Sequence, residues 1–92
     1  MRGSMLKDEE LATLKKLLET QYQWPCRYLF KFIVPHNQVP KVKALFPGED
    51  IQLKASRNGN YVGLTVNIHL ESADVVIAIY QKASQIKGLI SL

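Results

Sequence analysis

Asn58-Gly59, set between two runs of alternating apolar side chains, restricts this chain more than any other feature. A two-residue type I′ turn needs positive φ at both central positions; asparagine tolerates it and glycine takes it without steric cost. With the turn placed there, Ala55 faces Val62, Leu53 faces Leu64 and Ile51 faces Val66, all apolar and all on one side. On the other side Ser56 faces Tyr61, Lys54 faces Gly63 and Gln52 faces Thr65. A slip of one residue would throw every apolar side chain onto the wrong side. Turn chemistry and pattern agree on one register. The second arm is expected to run from Tyr61 to Leu70, with Val62, Leu64, Val66, Ile68 and Leu70 buried.

The remaining elements follow from the same periodicities. Leu11, Leu14, Leu17 and Leu18 recur at helical spacing, and Asp8, Glu9 and Glu10 precede Lys15 and Lys16 as the helix dipole favours. An amphipathic helix is expected over 6–20, with a stripe too narrow to be stable unless it lies on something else. Cys26 to Val34 alternates, placing Cys26, Tyr28, Phe30, Phe32 and Val34 on a core face and Arg27, Leu29, Lys31 and Ile33 on the other. Pro35 ends this strand. Asn37 is the expected N-cap of a short helix with Pro40 in its first turn and Val39, Val42, Leu45 and Phe46 inward, stopped by Pro47-Gly48. Ser72 is the expected cap of a longer helix whose inward stripe is Val76, Ile79, Tyr80, Ala83 and Ile86. Gly88 marks its exit, and Leu89 to Leu92 reads as a short last strand.

After the leading helix the order is strand, helix, strand, strand, helix, strand. Two split β-α-β units of this kind give an α+β, ferredoxin-like βαββαβ plait. Its four-stranded antiparallel sheet has the order 4-1-3-2, with two helices on one face. The expected organisation is a leader at 1–5, an N-terminal helix at 6–20 and a single domain over 21–92. Met1-Arg2-Gly3-Ser4-Met5 reads as an expression leader followed by a native start at Met5.

Composition narrows the function classes. No apolar run approaches the roughly 18 residues of a membrane span, and the first residues lack the apolar segment of a secretory signal. The lone Cys26 has no partner for an internal disulfide, which favours a reducing, cytoplasmic setting. The net charge of +4 arises wholly within residues 20–60, where Arg27, Lys31, Lys41, Lys43, Lys54 and Arg57 stand against Glu49 and Asp50. Such an excess favours anionic partners, but scattered cations are more often a solvated surface.

No catalytic constellation emerges. A phosphoryl-handling hydrolase on this fold needs an arginine and backbone donors in the loop after the first strand. That loop is Val34-Pro35-His36-Asn37. His36 and Asn37 read as surface residues beside a helix cap rather than an acid and its orienter. Cys26 reads as a small buried residue, His69 has no second ligand at metal spacing, and a single cysteine excludes a paired copper site. The expectation is no enzyme, no cofactor and no metal.

Three stretches resemble the small bacterial family of unknown function typified by the YbeD protein. Trp24-Pro25 followed by Tyr28, Phe30 and Lys31 resembles its entry into the first strand and the lysine that follows. Ser56-x-x-Gly59-Asn60-Tyr61 resembles its hairpin signature, with Thr65 on its hydroxyl position, and Val76-x-x-Ile79-Tyr80 resembles its second helix. The likeness spans about residues 17–92. The family often has glycine after the first strand, where this chain has Val34-Pro35. The resemblance implies a ferredoxin-like fold similar to the ACT regulatory domains, and no established activity.

Together these readings give an interaction surface of Lys31, Asn60, Tyr61, Thr65 and Asn67, on and beside the sheet face turned away from the helices. Leu29 and Ile33 on that face need cover. Either the leading helix folds across them, or a second chain does, as in ACT-like modules with a small ligand at the junction. The expected function is a non-enzymatic regulatory or protein-interaction module. Its expected partners are a second copy of the chain, a partner protein or a small ligand. The alternative is a weak RNA-binding module on the same basic face, although Tyr61 is the only aromatic residue there.

Overall fold

The leucine stripe of the first element does form a helix, α1 (Asp8–Gln21), in the computed structural model, which describes residues 8–92. The leader expected at residues 1–5 lies outside the described residues. Strand β1 (Cys26–Pro35) leads through a 3-10 turn (His36–Gln38) into the short helix α2 (Val39–Lys43). Strands β2 (Gln52–Ala55) and β3 (Tyr61–Leu70), helix α3 (Ala73–Ala83) and strand β4 (Ile90–Ser91) follow. Among the described residues the architecture is α+β: one four-stranded sheet of order β2-β3-β1-β4, every neighbouring pair antiparallel, with three α-helices. Counted from the β4 edge, the order is 4-1-3-2.

The hairpin pairs Gln52 with Thr65, Leu53 with Leu64, Lys54 with Gly63 and Ala55 with Val62, the register read from the pattern. Its turn is different. Gly59 has φ of +78°, and no residue other than glycine has positive φ among those described, so Asn58 does not adopt the type I′ conformation. Ser56 and Tyr61 close a four-residue loop, with Ser56 N–H donating to Tyr61 O at 2.8 Å and Gly59 N–H to Ser56 O at 3.0 Å. Asn58 acts through its side chain: its Oδ1 accepts from Ser56 Oγ at 3.0 Å and from Asn60 N–H at 3.1 Å. A two-residue and a four-residue loop centred on the same bond give the same pairing, so the alternation could not distinguish them.

The core lies between one sheet face and the helices. Phe30, Phe32, Val34, Leu64, Val66 and Leu70 from the sheet meet Val42 and Phe46 from the α2 region, Val76 and Ala83 from α3 and Leu18 from α1. Val62 and Ile68 of β3 are half-buried against this core rather than enclosed by it. Aromatic rings dominate. Phe30 has ring centroids at 4.9 Å from Tyr28 and 5.3 Å from both Phe46 and Tyr80, in tilted and edge-on arrangements that such quadrupoles favour.

Two apolar assignments fail at the edge. Leu53, expected inward, is 47% exposed, and Ala55 is exposed as well. Strand β2 is an edge strand beyond the reach of the short α2, so facing the helix side does not bury it. Ile51 lies just outside β2 and is half-buried. Asn37 is not a cap either: it lies within the 3-10 turn, and Gln38 occupies the N-cap of α2 without a side-chain bond. Ser72 does precede α3 in extended geometry, but it serves the helix through its carbonyl, which accepts from Val75 N–H at 3.2 Å.

Helix α1 packs against α3, not across the opposite sheet face. Leu18 is buried in the core, Lys15 pairs with Asp74 at 2.9 Å, and the Trp24 indole donates to Leu18 O at 3.1 Å. Leu17 is left 51% exposed, because a stripe facing one neighbour cannot bury both adjacent leucines.

The Tyr28 and Tyr80 hydroxyls meet at 3.0 Å beside this aromatic cluster. Burial first, then the hydrogen bond to Tyr80, raises the Tyr28 phenol well above its ordinary range. A folded value above the unfolded one means that the associated stability is complete below about pH 10 and is lost as pH rises toward the folded value. Tyr28→Phe is therefore expected to lose about 1 kcal/mol at neutral pH. It should also show a smaller further loss than the parent in alkaline solution. Urea denaturation at neutral pH and at about pH 11 checks both.

Candidate functional site

Alternation along β1 and β3 settles what the open sheet face displays. Opposite the aromatic core face, β1 presents Arg27, Leu29, Lys31 and Ile33, and β3 presents Tyr61, Gly63, Thr65, Asn67 and His69. The register puts Lys31 directly beside Thr65 and Leu29 beside Asn67. Such cross-strand neighbours have Cβ atoms about 4.5–5.5 Å apart. On the other flank of β1, Ile90 of β4 lies beside Ile33, and Leu92 N–H donates to Lys31 O at 2.9 Å.

The face divides into two halves. On the β1–β4 side Leu29 is 47%, Ile90 48% and Leu92 71% exposed, with Ile33 half-buried among them. On the β3–β2 side the side chains are polar: Thr65 and Asn67, then Gln52 and Lys54 on the edge strand. Arg27 bridges the halves at one end. Its Nε donates to Asn67 Oδ1 at 2.8 Å and its Nη2 to Asn67 O at 2.7 Å, fixing the plane of the guanidinium over the sheet. At the same end His69 Nε2 lies 3.6 Å from Glu71 Oε2, both side chains well exposed.

Lys31, Thr65 and Asn67 thus come together in one patch. Asn60 and Tyr61 do not join it. Tyr61 shares the face but lies four positions from Thr65 along β3, about 13 Å away. Asn60 belongs to the hairpin loop and works through its backbone: its carbonyl accepts from His36 N–H at 3.0 Å, tying the loop to the end of β1. Arg27, which alternation already places on this face, and Ile90 and Leu92 share it with Lys31, Thr65 and Asn67, outside the interaction set expected from the sequence. The alternation of Ile90 and Leu92 in the last strand was visible, but the partner and register of so short a strand were not.

The residues weighed for chemistry are scattered. Cys26 is half-buried at the start of β1, opposite Leu70. His36 and Asn37 are exposed, and Asn37 Oδ1 accepts only a long 3.4 Å contact from Gln38 Nε2. Among the described residues no group of three or more histidine, cysteine, aspartate or glutamate side chains could hold a metal ion. No helix among them is long and apolar enough to cross a membrane.

The molecule is therefore a small α+β protein with a helix-covered sheet face and an uncovered one. The chain belongs to the family described as "Protein of unknown function (DUF493)", which matches residues 19–91 and includes YbeD. Most of α1 precedes the matched segment. No curated protein and no solved structure matches the chain.

Proposed function

We propose that this chain is a non-catalytic interaction module of ferredoxin-like, ACT-type architecture that binds its partners across the open sheet face, in a reducing cytoplasmic setting. One observation carries the reading: all three helices pack on the other face, leaving Leu29, Ile90 and Leu92 exposed in one aliphatic strip. Scattered surface leucines need no explanation, but a contiguous strip beside a central strand does. The regulatory part of the reading rests on the resemblance to ACT domains alone.

Nuclear magnetic resonance tests this directly. Titration with amino acids, peptides and short RNAs, and dilution of the protein itself, should move the resonances of Leu29, Lys31, Ile33 and Ile90 with at least one partner class. Shifts confined to the helix side would refute the reading. Leu29→Asp should alter folding stability by no more than about 0.5 kcal/mol, because that side chain adds little to the core. The same change should abolish binding, and thermal denaturation alongside the titration separates the two effects.

A further inference from the structure

The four strands contain no aspartate or glutamate. All eight acids lie elsewhere: in or near the leading helix, at Glu49 and Asp50, and at Glu71 and Asp74 around the start of α3. The open face carries Arg27, Lys31 and Lys54, each exposed and none ion-paired among the described residues; Glu71, at its Arg27 end, lies 3.6 Å from His69 and away from Lys31. Lys31 is central. Thr65 flanks it on one side and the terminal Leu92 on the other, with Leu29 and Ile33 before and after it on the same face. An aliphatic strip with a cation in its middle has a definite complement. That complement is a segment offering aliphatic side chains around a carboxylate.

Resting on the reading of this face as a binding surface, we infer that its occupant is an acidic amphipathic segment of another protein. Charge complementarity selects it over the two competing occupants. In a face-to-face pair of copies related by a two-fold axis, the same patch meets itself. Lys31 and Lys54 would then face a surface whose strands supply no acid, and like charges brought together without water repel one another. Single-stranded RNA is held by bases stacked on aromatic rings. Here the half beside Lys31 is built from leucine and isoleucine, and Tyr61 stands at the far end of β3. A protein segment uses both halves: its apolar side chains cover Leu29, Ile33 and Ile90, and its carboxylate meets Lys31. Arg27, held in place by Asn67, supplies a second fixed donor at the end of the strip.

The test is selection from a displayed random-peptide library on the full chain, followed by resonance mapping of the selected peptides. The expected peptides combine leucine or isoleucine with aspartate or glutamate, and they move Leu29, Lys31, Ile33 and Ile90. Lys31→Glu should weaken them by about tenfold or more, and selection on that variant should turn toward lysine-bearing peptides. That reversal is a readout that simple loss of folding cannot produce. Leu29→Ala, which removes contact area without adding charge, should weaken the same peptides. Enrichment of peptides without acids, or no enrichment, overturns the inference. So does a uridine oligonucleotide binding the same residues more tightly than any peptide, or a concentration-dependent dimer that buries Leu29. Those last two results would leave the open face a binding surface and remove only the acidic segment; silence of the face toward every probe would remove both.

Discussion

Replacing Phe30 with alanine is expected to cost about 3–5 kcal/mol and to leave little folded protein near physiological temperature. The ring is fully buried and contacts Tyr28, Phe32, Phe46 and Tyr80, so it joins β1 to α3 and to the segment after α2. Truncation removes the transfer energy of the ring. It also leaves a void that neighbouring rings, already in contact with one another, cannot collapse into without losing their own geometry. Urea denaturation read by Trp24 fluorescence should show the midpoint fall steeply at nearly unchanged slope. A loss below about 1 kcal/mol would mean that the aromatic cluster is not the principal core.

Gly88→Ala should be the second large effect, about 2–5 kcal/mol, from two sources acting together. Gly88 has φ of +79°, which a side chain resists. A Cβ there would also lie 2.9 Å from Cγ and 3.1 Å from Cδ of Pro35, and a pyrrolidine ring cannot rotate away. Gly59 is the control. Its φ is +78° but a Cβ would meet nothing within 4 Å, so Gly59→Ala should cost only about 1 kcal/mol of backbone strain. Thermal denaturation of the two variants side by side isolates the contact with Pro35.

Much of this fold is legible in the sequence. Alternation placed Phe30, Phe32 and Val34 inward and Arg27, Leu29 and Lys31 outward, because a strand allows no other arrangement once one face is apolar. The hairpin register was readable for the same reason. The turn was not, since Ser56 and Asn58 reorganise the loop through side-chain hydrogen bonds while preserving the pairing. The exposure of Leu53 depends on how far α2 reaches, which no local pattern encodes. The placement of α1 was open too: a leucine stripe says that a helix needs a surface, not which one. For the candidate site, the grouping of Lys31, Thr65 and Asn67 followed from parity once the strands were paired. The contributions of Ile90 and Leu92, and the hold of Arg27 on Asn67, required the register of β4 and the rotamers themselves.

The narrow outer arm β2 gives the open face an uneven stiffness. Its four residues are exposed on both sides and are hydrogen-bonded as a strand to β3 alone, so this arm can detach while the aromatic interior stays closed. Lys54 rides on that loose margin, whereas Lys31 stands on a strand clamped from both flanks. A visitor gripping the Lys31 side meets a surface already set in shape. One reaching for Lys54 must first quiet the arm that carries it, and so gives up part of the affinity it would gain.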